Sequence, residues 1–161
     1  MIRYAKASDH VAIAEVVEAA FGRPDEAALV AALRGDGDVL FELVAERDGA
    51  LAGHILFSRL WADRYEMFAA LAPLAVRPQA QGGGLGGALV RAGLDSAREF
   101  GAHGVLVVGE PAYYGRFGFS AQAAARVRAP FSGLAAFQAL PLEAGAFDAP
   151  LRVAYPDAFS A

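Results

Sequence analysis

The chain carries the stretch Gln81-Gly82-Gly83-Gly84-Leu85-Gly86-Gly87 between an apolar run and an amphipathic run. Five of the 18 glycines fall within this stretch, far more than random scatter would place there. Because glycine has no Cβ, the backbone approaches a ligand closely, and the N–H groups of a following helical turn point at it. These donors and the helix dipole favour an anionic group such as a pyrophosphate. The stretch predicts an anion-binding loop, with a flexible connection as the alternative.

The sequence on either side of the loop predicts a strand before it and a helix after it. Met67 to Val76 is almost wholly apolar, which is typical of a strand covered on both faces. Pro73 has no N–H to donate to a sheet ladder, so it predicts an edge or a bulge at that point. Leu85 to Phe100 has apolar and polar residues on opposite sides of a helical period, and Gly101 ends the predicted helix.

The length of 161 residues predicts one domain spanning 1–161. Local signals predict the other helices and strands. Periodicity, caps and turn residues predict a strand at Ile2 to Lys6, helices at Val11 to Phe21 and Pro24 to Leu33, strands at Phe41 to Glu46 and Ala50 to Ser58 joined by Asp48-Gly49, a strand at Val105 to Val108, a short helix or turn at Pro111 to Arg116 and a strand near Ala136 to Leu140.

Composition excludes several classes of function. The protein has no cysteine, which excludes disulfide scaffolds, thiolate catalysis and cysteine-based zinc sites. Its net charge of −4 and the lack of a basic run argue against nucleic acid as a partner. No stretch of about 18 uncharged apolar residues occurs and no basic, apolar leader follows Met1, so we expect neither a membrane segment nor secretion. We expect a cytoplasmic protein.

Two anionic ligands compete for the loop. Gly82, Gly84 and Gly87 have the spacing of a dinucleotide fingerprint, and Glu110 lies where the ribose-binding acid of that motif would be. However, residues 77–81 separate the strand from the glycines, and the chain after Val108 lacks an alternating strand and helix pattern. A nucleotide triphosphatase loop is excluded, because no lysine follows the glycines.

The other ligand is acetyl-coenzyme A, on the basis of a resemblance. Gln81 to Gly86 resembles the pyrophosphate-binding signature of the GNAT superfamily of N-acetyltransferases. Leu74-Ala75-Val76-Arg77-Pro78 resembles the central strand of that family, and the segment Pro111 to Phe119 resembles its tyrosine-containing helix, which ends in Gly-Phe. The order of elements is similar to the family across residues 1 to about 120. Three motifs in the correct order make the resemblance specific.

The resemblance implies an α/β (α+β) fold with a mixed, largely antiparallel sheet flanked by helices and with splayed central strands. It implies a backbone N–H between Leu74 and Val76 as the oxyanion donor, and Pro73 supports a broken ladder there. The predicted coenzyme-binding residues are Leu74, Ala75, Val76, Gln81, Gly82, Gly83, Gly84, Leu85, Gly86 and Gly87. Gln81 is either a donor to the pyrophosphate or a solvated loop residue.

The resemblance also implies catalytic residues. Tyr114 stands at the position of the family's tyrosine and is the predicted proton donor to the leaving thiolate, although Tyr113 beside it is easily confused with it. The family's strand glutamate has no counterpart here, so Glu110 and His54 are the candidate bases, and a water chain is the alternative. No histidine pair has metal-ligand spacing, so we predict no metal. Without cysteine, direct transfer is the simpler mechanism.

The predicted function is transfer of an acetyl group from acetyl-coenzyme A to an amine of a small molecule or of a protein N-terminus. The sequence does not choose between these acceptors, which would contact the least patterned parts of the chain. The alternatives are a dinucleotide-binding oxidoreductase and a catalytically silent acyl-coenzyme A-binding module. The aromatic-rich second half of the chain makes a homodimer conceivable, although core packing explains those aromatic residues equally well.

Overall fold

The structure is a computed structural model and describes residues 1–160. The helices are α1 (His10–Phe21), α2 (Asp25–Gly35), α3 (Leu85–Glu99) and α4 (Pro111–Gly115). The strands are β1 (Ile2–Tyr4), β2 (Val39–Arg47), β3 (Ala50–Arg59), β4 (Trp61–Ala62), β5 (Met67–Val76), β6 (Ala102–Val108), β7 (Val127–Arg128), β8 (Phe137–Pro141) and β9 (Leu151–Ala154). Single turns of 3₁₀ helix lie at Ala7–Asp9, Pro78–Ala80 and Asp157–Ser160.

Six strands form the main sheet in the order β1-β2-β3-β5-β6-β8. Neighbouring strands are antiparallel except β5 and β6, which run parallel. A parallel pair needs a long crossover connection, and α3 supplies it. The prediction of a mixed, largely antiparallel sheet flanked by helices is confirmed.

Alternate residues along each strand divide the core between the two faces of the main sheet. On one face α3 covers the sheet, and Leu89 packs there in a cluster with Ile55. On the other face α1 and α2 cover β2 and β3, and Ile13 packs in a cluster with Leu56. The part of that face formed by β5 and β6 is covered by residues from the last third of the chain.

A second, three-stranded sheet of order β4-β9-β7 was not predicted from the sequence. β4 and β7 have two residues each and β9 has four, so none is long enough to show a clear alternation of apolar and polar residues. The predicted strand near Ala136 to Leu140 is confirmed as β8.

The turn between β2 and β3 is the predicted hairpin turn. Asp48 has φ 55° and Gly49 has φ 77°, and a two-residue turn with positive φ at both positions matches the twist of antiparallel strands. This hairpin brings β3 into register between β2 and β5. Among the helices of residues 1–160, none combines the length and the apolar character that crossing a bilayer requires.

A glycine in α3 sets the distance between that helix and the main sheet. A Cβ built on Gly93 would overlap the ring of Phe57, which is fully buried in β3. We expect Gly93→Ala to lower the free energy of unfolding by about 1–3 kcal/mol, because the helix or the ring must shift in a packed core. Urea unfolding measures this change.

Gly35→Ala in α2 is the matched control, because a Cβ at Gly35 meets no atom within 4 Å. We expect that substitution to be neutral or to stabilise the helix by up to about 1 kcal/mol. Equal effects of the two substitutions would contradict the close approach at Gly93.

Candidate active site

The parallel pairing of β5 and β6 stops part-way along β5. Its last pair is Leu71↔Val107, and within residues 1–160 no ladder pair joins the two strands beyond it. On its other side β5 resumes pairing with β3 after a bulge, since Ala72 and Pro73 stand opposite the single residue Leu56. The predicted bulge at Pro73 is confirmed. The strands therefore diverge at the point where the sequence predicted a broken ladder.

The divergence opens a cavity of about 400 Å³, which we call the strand cleft. It lies at the boundary between the α1 and α2 covering and the covering from the last third of the chain. The residues that line it come from both strands, both coverings and α4. They are Phe21, Glu26, Leu29, Ala70, Leu71, Ala72, Pro73, Leu74, Leu106, Val107, Val108, Gly109, Tyr114, Phe131, Tyr155 and Phe159.

A second cavity of about 440 Å³, which we call the loop pocket, lies at the glycine stretch. Its lining residues are Leu74, Val76, Ala80, Gln81, Gly82, Gly84, Leu85, Gly86, Gly87, Tyr113 and Arg116. Leu74 lines both cavities, so the loop pocket and the strand cleft adjoin at this residue.

Eight of the ten predicted coenzyme-binding residues line the loop pocket, whereas Ala75 and Gly83 do not. Ala75 is buried in the cluster under α1 together with Leu56, so its side chain is turned away from the pocket. Gly83 is exposed at the surface of the loop. The amide of Gln81 donates a hydrogen bond to the carbonyl of Val76 at 3.0 Å, which ties the loop to the end of β5.

The loop pocket is suited to an anion. Gly84 is the N-cap of α3 with φ 83°, a conformation that glycine adopts without strain. Because glycine has no side-chain oxygen to cap the helix, the first N–H groups of α3 keep their hydrogen-bonding capacity for a ligand. Arg116 adds a positive charge, and its guanidinium stacks 4.5 Å from the centroid of Tyr113. Sequence reasoning missed Arg116, although it lies inside the tyrosine-containing motif.

The structure separates Tyr113 from Tyr114. Tyr113 lies over the glycine loop, so that a Cβ built on Gly86 would be 2.6 Å from its hydroxyl oxygen. Tyr114 lines the strand cleft instead, and its ring packs edge-on against Phe119. A Cβ on Gly109 would overlap that ring, so the absence of a side chain there makes room for Tyr114. Burial, and to a lesser extent Tyr113, raise the pKa of Tyr114 to about 12.

The two candidate bases occupy different environments. Glu110 is exposed and caps α4, with its carboxylate accepting a hydrogen bond from the N–H of Ala112 at 3.4 Å. It lines neither cavity, but it follows Gly109, which lines the strand cleft. The role of Glu110 as a base stays a prediction.

His54 is fully buried in β3 and lines neither cavity. Its Nε2 lies 2.8 Å from a carboxylate oxygen of Glu42, which also accepts two hydrogen bonds from Arg34. Burial lowers the pKa of His54, although Glu42 opposes this shift. Burial alone would raise the pKa of Glu42, but hydrogen bonds from His54 and Arg34 bring it to about 2. His54 therefore belongs to a buried structural cluster.

Several residues of the strand cleft carried no functional signal in the sequence. Glu26 is an acid in the first turn of α2, a common position that carries no functional signal by itself. Tyr155 also lines the cleft, and burial raises its pKa well above the usual range. In the described part of the chain, no three histidine, cysteine, aspartate or glutamate residues are grouped to hold a metal ion.

Comparison with known proteins decides the family. The sequence model described as the Acetyltransferase (GNAT) family matches residues 10–119. The chain belongs to the GNAT acetyltransferase family. The uncharacterized N-acetyltransferase YjhQ of Escherichia coli K12 is 43% identical over 118 residues, which cover 70% of this chain and 65% of YjhQ. The uncharacterized N-acetyltransferase YhbS of the same strain is 38% identical over 141 residues, which cover 86% of this chain and 84% of YhbS.

Two solved structures of GNAT proteins are similar over nearly the whole chain. The Escherichia coli YhbS structure in complex with CoA has a TM-score of 0.93 and 35% identity, and the match covers 100% of this chain and 92% of that one. A GNAT acetyltransferase from Brucella melitensis in complex with acetyl-CoA has a TM-score of 0.82 and 35% identity, covering 99% and 97%. The predicted fold and GNAT membership are confirmed. Membership of an acetyltransferase family favours acetyl transfer over the oxidoreductase alternative.

The buried cluster of Glu42, His54 and Arg34 predicts a pH-dependent stability. We expect Glu42→Gln to lower the free energy of unfolding by about 3–5 kcal/mol at pH 7, because it leaves Arg34 without its carboxylate partner. The pKa of Glu42 is lowered from 4.5 to about 2, so its contribution is complete above pH 4.5 and is lost as the pH falls toward 2. Urea unfolding at pH 7 and pH 3 measures both effects.

Glu99→Gln, at the exposed end of α3, is the control and should change stability little at either pH. An ionised Glu42 would be contradicted if the free energies of unfolding of wild type and Glu42→Gln differed by the same amount at pH 7 and pH 3.

Proposed function

We propose that the protein transfers an acetyl group from acetyl-CoA directly to a primary amine. The proposal rests on one observation: two cavities adjoin at Leu74. One of them is suited to an anion, and the other is bounded by diverging strands. In this proposal the pyrophosphate binds in the loop pocket, the pantetheine arm passes Leu74, and the thioester meets the amine in the strand cleft. The CoA and acetyl-CoA complexes of the two similar GNAT structures support this assignment.

The proposed binding of the pyrophosphate rests on charge and on close approach. The free N–H groups at the start of α3 and the positive end of its dipole act on the phosphate oxygens, and Arg116 adds a cation at the same pocket. The side chain of Gln81 donates one hydrogen bond to Val76 and its backbone N–H donates to the carbonyl of Pro78, so the second N–H of its side-chain amide is the donor left for the ligand. Gly86 allows the ligand and the ring of Tyr113 to share the pocket.

The proposed reaction needs three functions. The neutral amine nitrogen attacks the thioester carbon, and a backbone N–H of β5 beyond Ala72, freed from pairing with β6, donates to the developing oxyanion. When the C–S bond breaks, its electron pair stays on sulfur, which takes a proton from the hydroxyl of Tyr114. The high pKa of Tyr114 keeps this proton in place at neutral pH. The amine loses its own proton to water, and Glu110 is the predicted residue that receives it.

A ligand titration and a turnover assay test the proposal. We expect acetyl-CoA to bind and NADH not to bind in calorimetric titrations, and we expect free CoA thiol to appear when a panel of primary amines is added. NADH binding in preference to acetyl-CoA would overturn the proposal. Binding of acetyl-CoA without thiol release by any amine would also overturn it, in favour of a catalytically silent binding module.

The substitution Gly86→Ala tests the loop pocket. The added methyl group would lie 2.6 Å from the hydroxyl of Tyr113, so the side chain of Tyr113, which lines the loop pocket, must shift. We expect the Kd for acetyl-CoA to rise about tenfold or more, which corresponds to about 1.4 kcal/mol. Gly83→Ala is the matched control, because Gly83 has no positive φ and its nearest heavy atom would be 4.0 Å away. Similar Kd values for the two variants would count against the assigned pocket.

The substitution Tyr114→Phe tests the proton donor. Removal of the hydroxyl should lower kcat about 10²-fold and leave the KM for acetyl-CoA nearly unchanged, because general acid catalysis acts in the transition state. Tyr65→Phe is the control, since Tyr65 is 98% exposed and lines neither cavity. Because the pKa of Tyr114 is raised to about 12, wild-type activity should rise with pH up to about 10, as the amine deprotonates. A fall in activity between pH 8 and 10 would contradict this role.

A further inference from the structure

Glu26 is the one charged residue among those that line the strand cleft within residues 1–160. It lies in the first turn of α2, on the wall of the cleft formed by α1 and α2. Its side chain is only 16% exposed. The remaining lining is apolar or aromatic, apart from two tyrosine hydroxyls, so Glu26 supplies the formal charge at the surface of the cleft. A carboxylate in such a setting favours a cationic guest and disfavours an anionic one.

Arg23 holds the carboxylate of Glu26 from the solvent side. The guanidinium donates from Nε at 3.0 Å and from Nη2 at 2.5 Å, one bond to each carboxylate oxygen. Arg23 is 59% exposed, so water screens its charge far more than that of Glu26. Two bonds leave the other lone pairs of the carboxylate available to a guest in the cleft. The hydrogen bonds from Arg23 lower the pKa of Glu26, which keeps it ionised at neutral pH.

Aromatic rings form much of the wall of the cleft. Phe131 and Tyr155 pack edge to face at 5.0 Å, and Tyr155 and Phe159 do so at 5.3 Å. Phe21 adds a partly exposed ring at the end of α1. Such a wall packs well against an apolar or aromatic body, and its ring faces also attract an ammonium group. The cavity of about 400 Å³ is near the lower end of the range of small-molecule pockets, which favours a small guest over a polypeptide.

We infer that the acetyl acceptor is a small primary amine with an aromatic body and without a carboxylate, and that Glu26 binds its ammonium group as it enters the strand cleft. This inference rests on the proposed function, because it assigns the acceptor of the same reaction. The body packs against Phe131, Tyr155 and Phe159. The counter-charge of Arg23 limits how strongly Glu26 favours the protonated amine, so the nitrogen still loses its proton before attack.

Calorimetric titration of the CoA-saturated protein tests this inference with three probes that differ in single groups. These are 2-phenylethylamine, 2-phenylethanol, which lacks the amine, and L-phenylalanine, which adds a carboxylate. We expect 2-phenylethylamine to bind at least about tenfold more tightly than either of the others. Equal affinity for L-phenylalanine, or tighter binding of a peptide with an N-terminal phenylalanine, would overturn the inference.

The variant Glu26→Gln and its control Asp25→Asn identify the residue responsible. Glu26→Gln should raise the Kd for 2-phenylethylamine about tenfold and leave that for 2-phenylethanol unchanged, and it should raise the KM for the amine more than it lowers kcat. Asp25→Asn removes the same charge from the same turn, but Asp25 does not line the strand cleft. This variant should therefore keep the preference for 2-phenylethylamine over the other two probes. A preference that survives Glu26→Gln would overturn the inference.

The two proposals fail in different ways. If 2-phenylethylamine binds with the expected preference but no thiol is released with any amine, the proposed function is wrong and the assignment of the cleft as an amine-binding site stands. If thiol is released but L-phenylalanine is as good an acceptor as 2-phenylethylamine, the proposed function stands and the assignment of the acceptor is wrong.

Discussion

The end of parallel pairing between β5 and β6, at Leu71↔Val107, is the constraint on which the site depends. A bulge at Ala72 and Pro73 turns β5 away from β6 while β5 keeps its pairing with β3. β6 meanwhile continues beside β8 to Val108. The divergence therefore costs ladder hydrogen bonds on one side of β5 only, and it creates space in the middle of a sheet that is otherwise covered on both faces.

The two cavities that adjoin at Leu74 have opposite electrostatic character. The loop pocket has the free N–H groups of α3 and the guanidinium of Arg116, which suit phosphate. The strand cleft has the carboxylate of Glu26 and a wall of aromatic rings, which suit an amine with an apolar body. In the proposed reaction, this separation gives the anionic donor and the cationic acceptor different pockets that meet at one point.

Much of the fold could be predicted because its signals are local. β5 has the predicted bounds Met67–Val76, and the predicted hairpin turn lies at Asp48-Gly49, where both φ angles are positive. The second sheet could not be predicted, because its strands are too short to show a period and their pairing is long-range. At the site, the glycine loop was found from composition. Glu26 was not, because only the tertiary fold distinguishes it from any acid at a helix N-terminus.

The central claim is that acetyl-CoA enters between β5 and β6 and meets Tyr114 there. A crystal structure of the protein with a non-hydrolysable analogue of acetyl-CoA tests it most directly. We predict the pyrophosphate at the start of α3, the acyl oxygen within hydrogen-bond distance of a β5 backbone N–H beyond Ala72, and the atom that replaces sulfur beside the hydroxyl of Tyr114. A pantetheine arm that lies outside the strand cleft, with its acyl group remote from Tyr114, would contradict the claim.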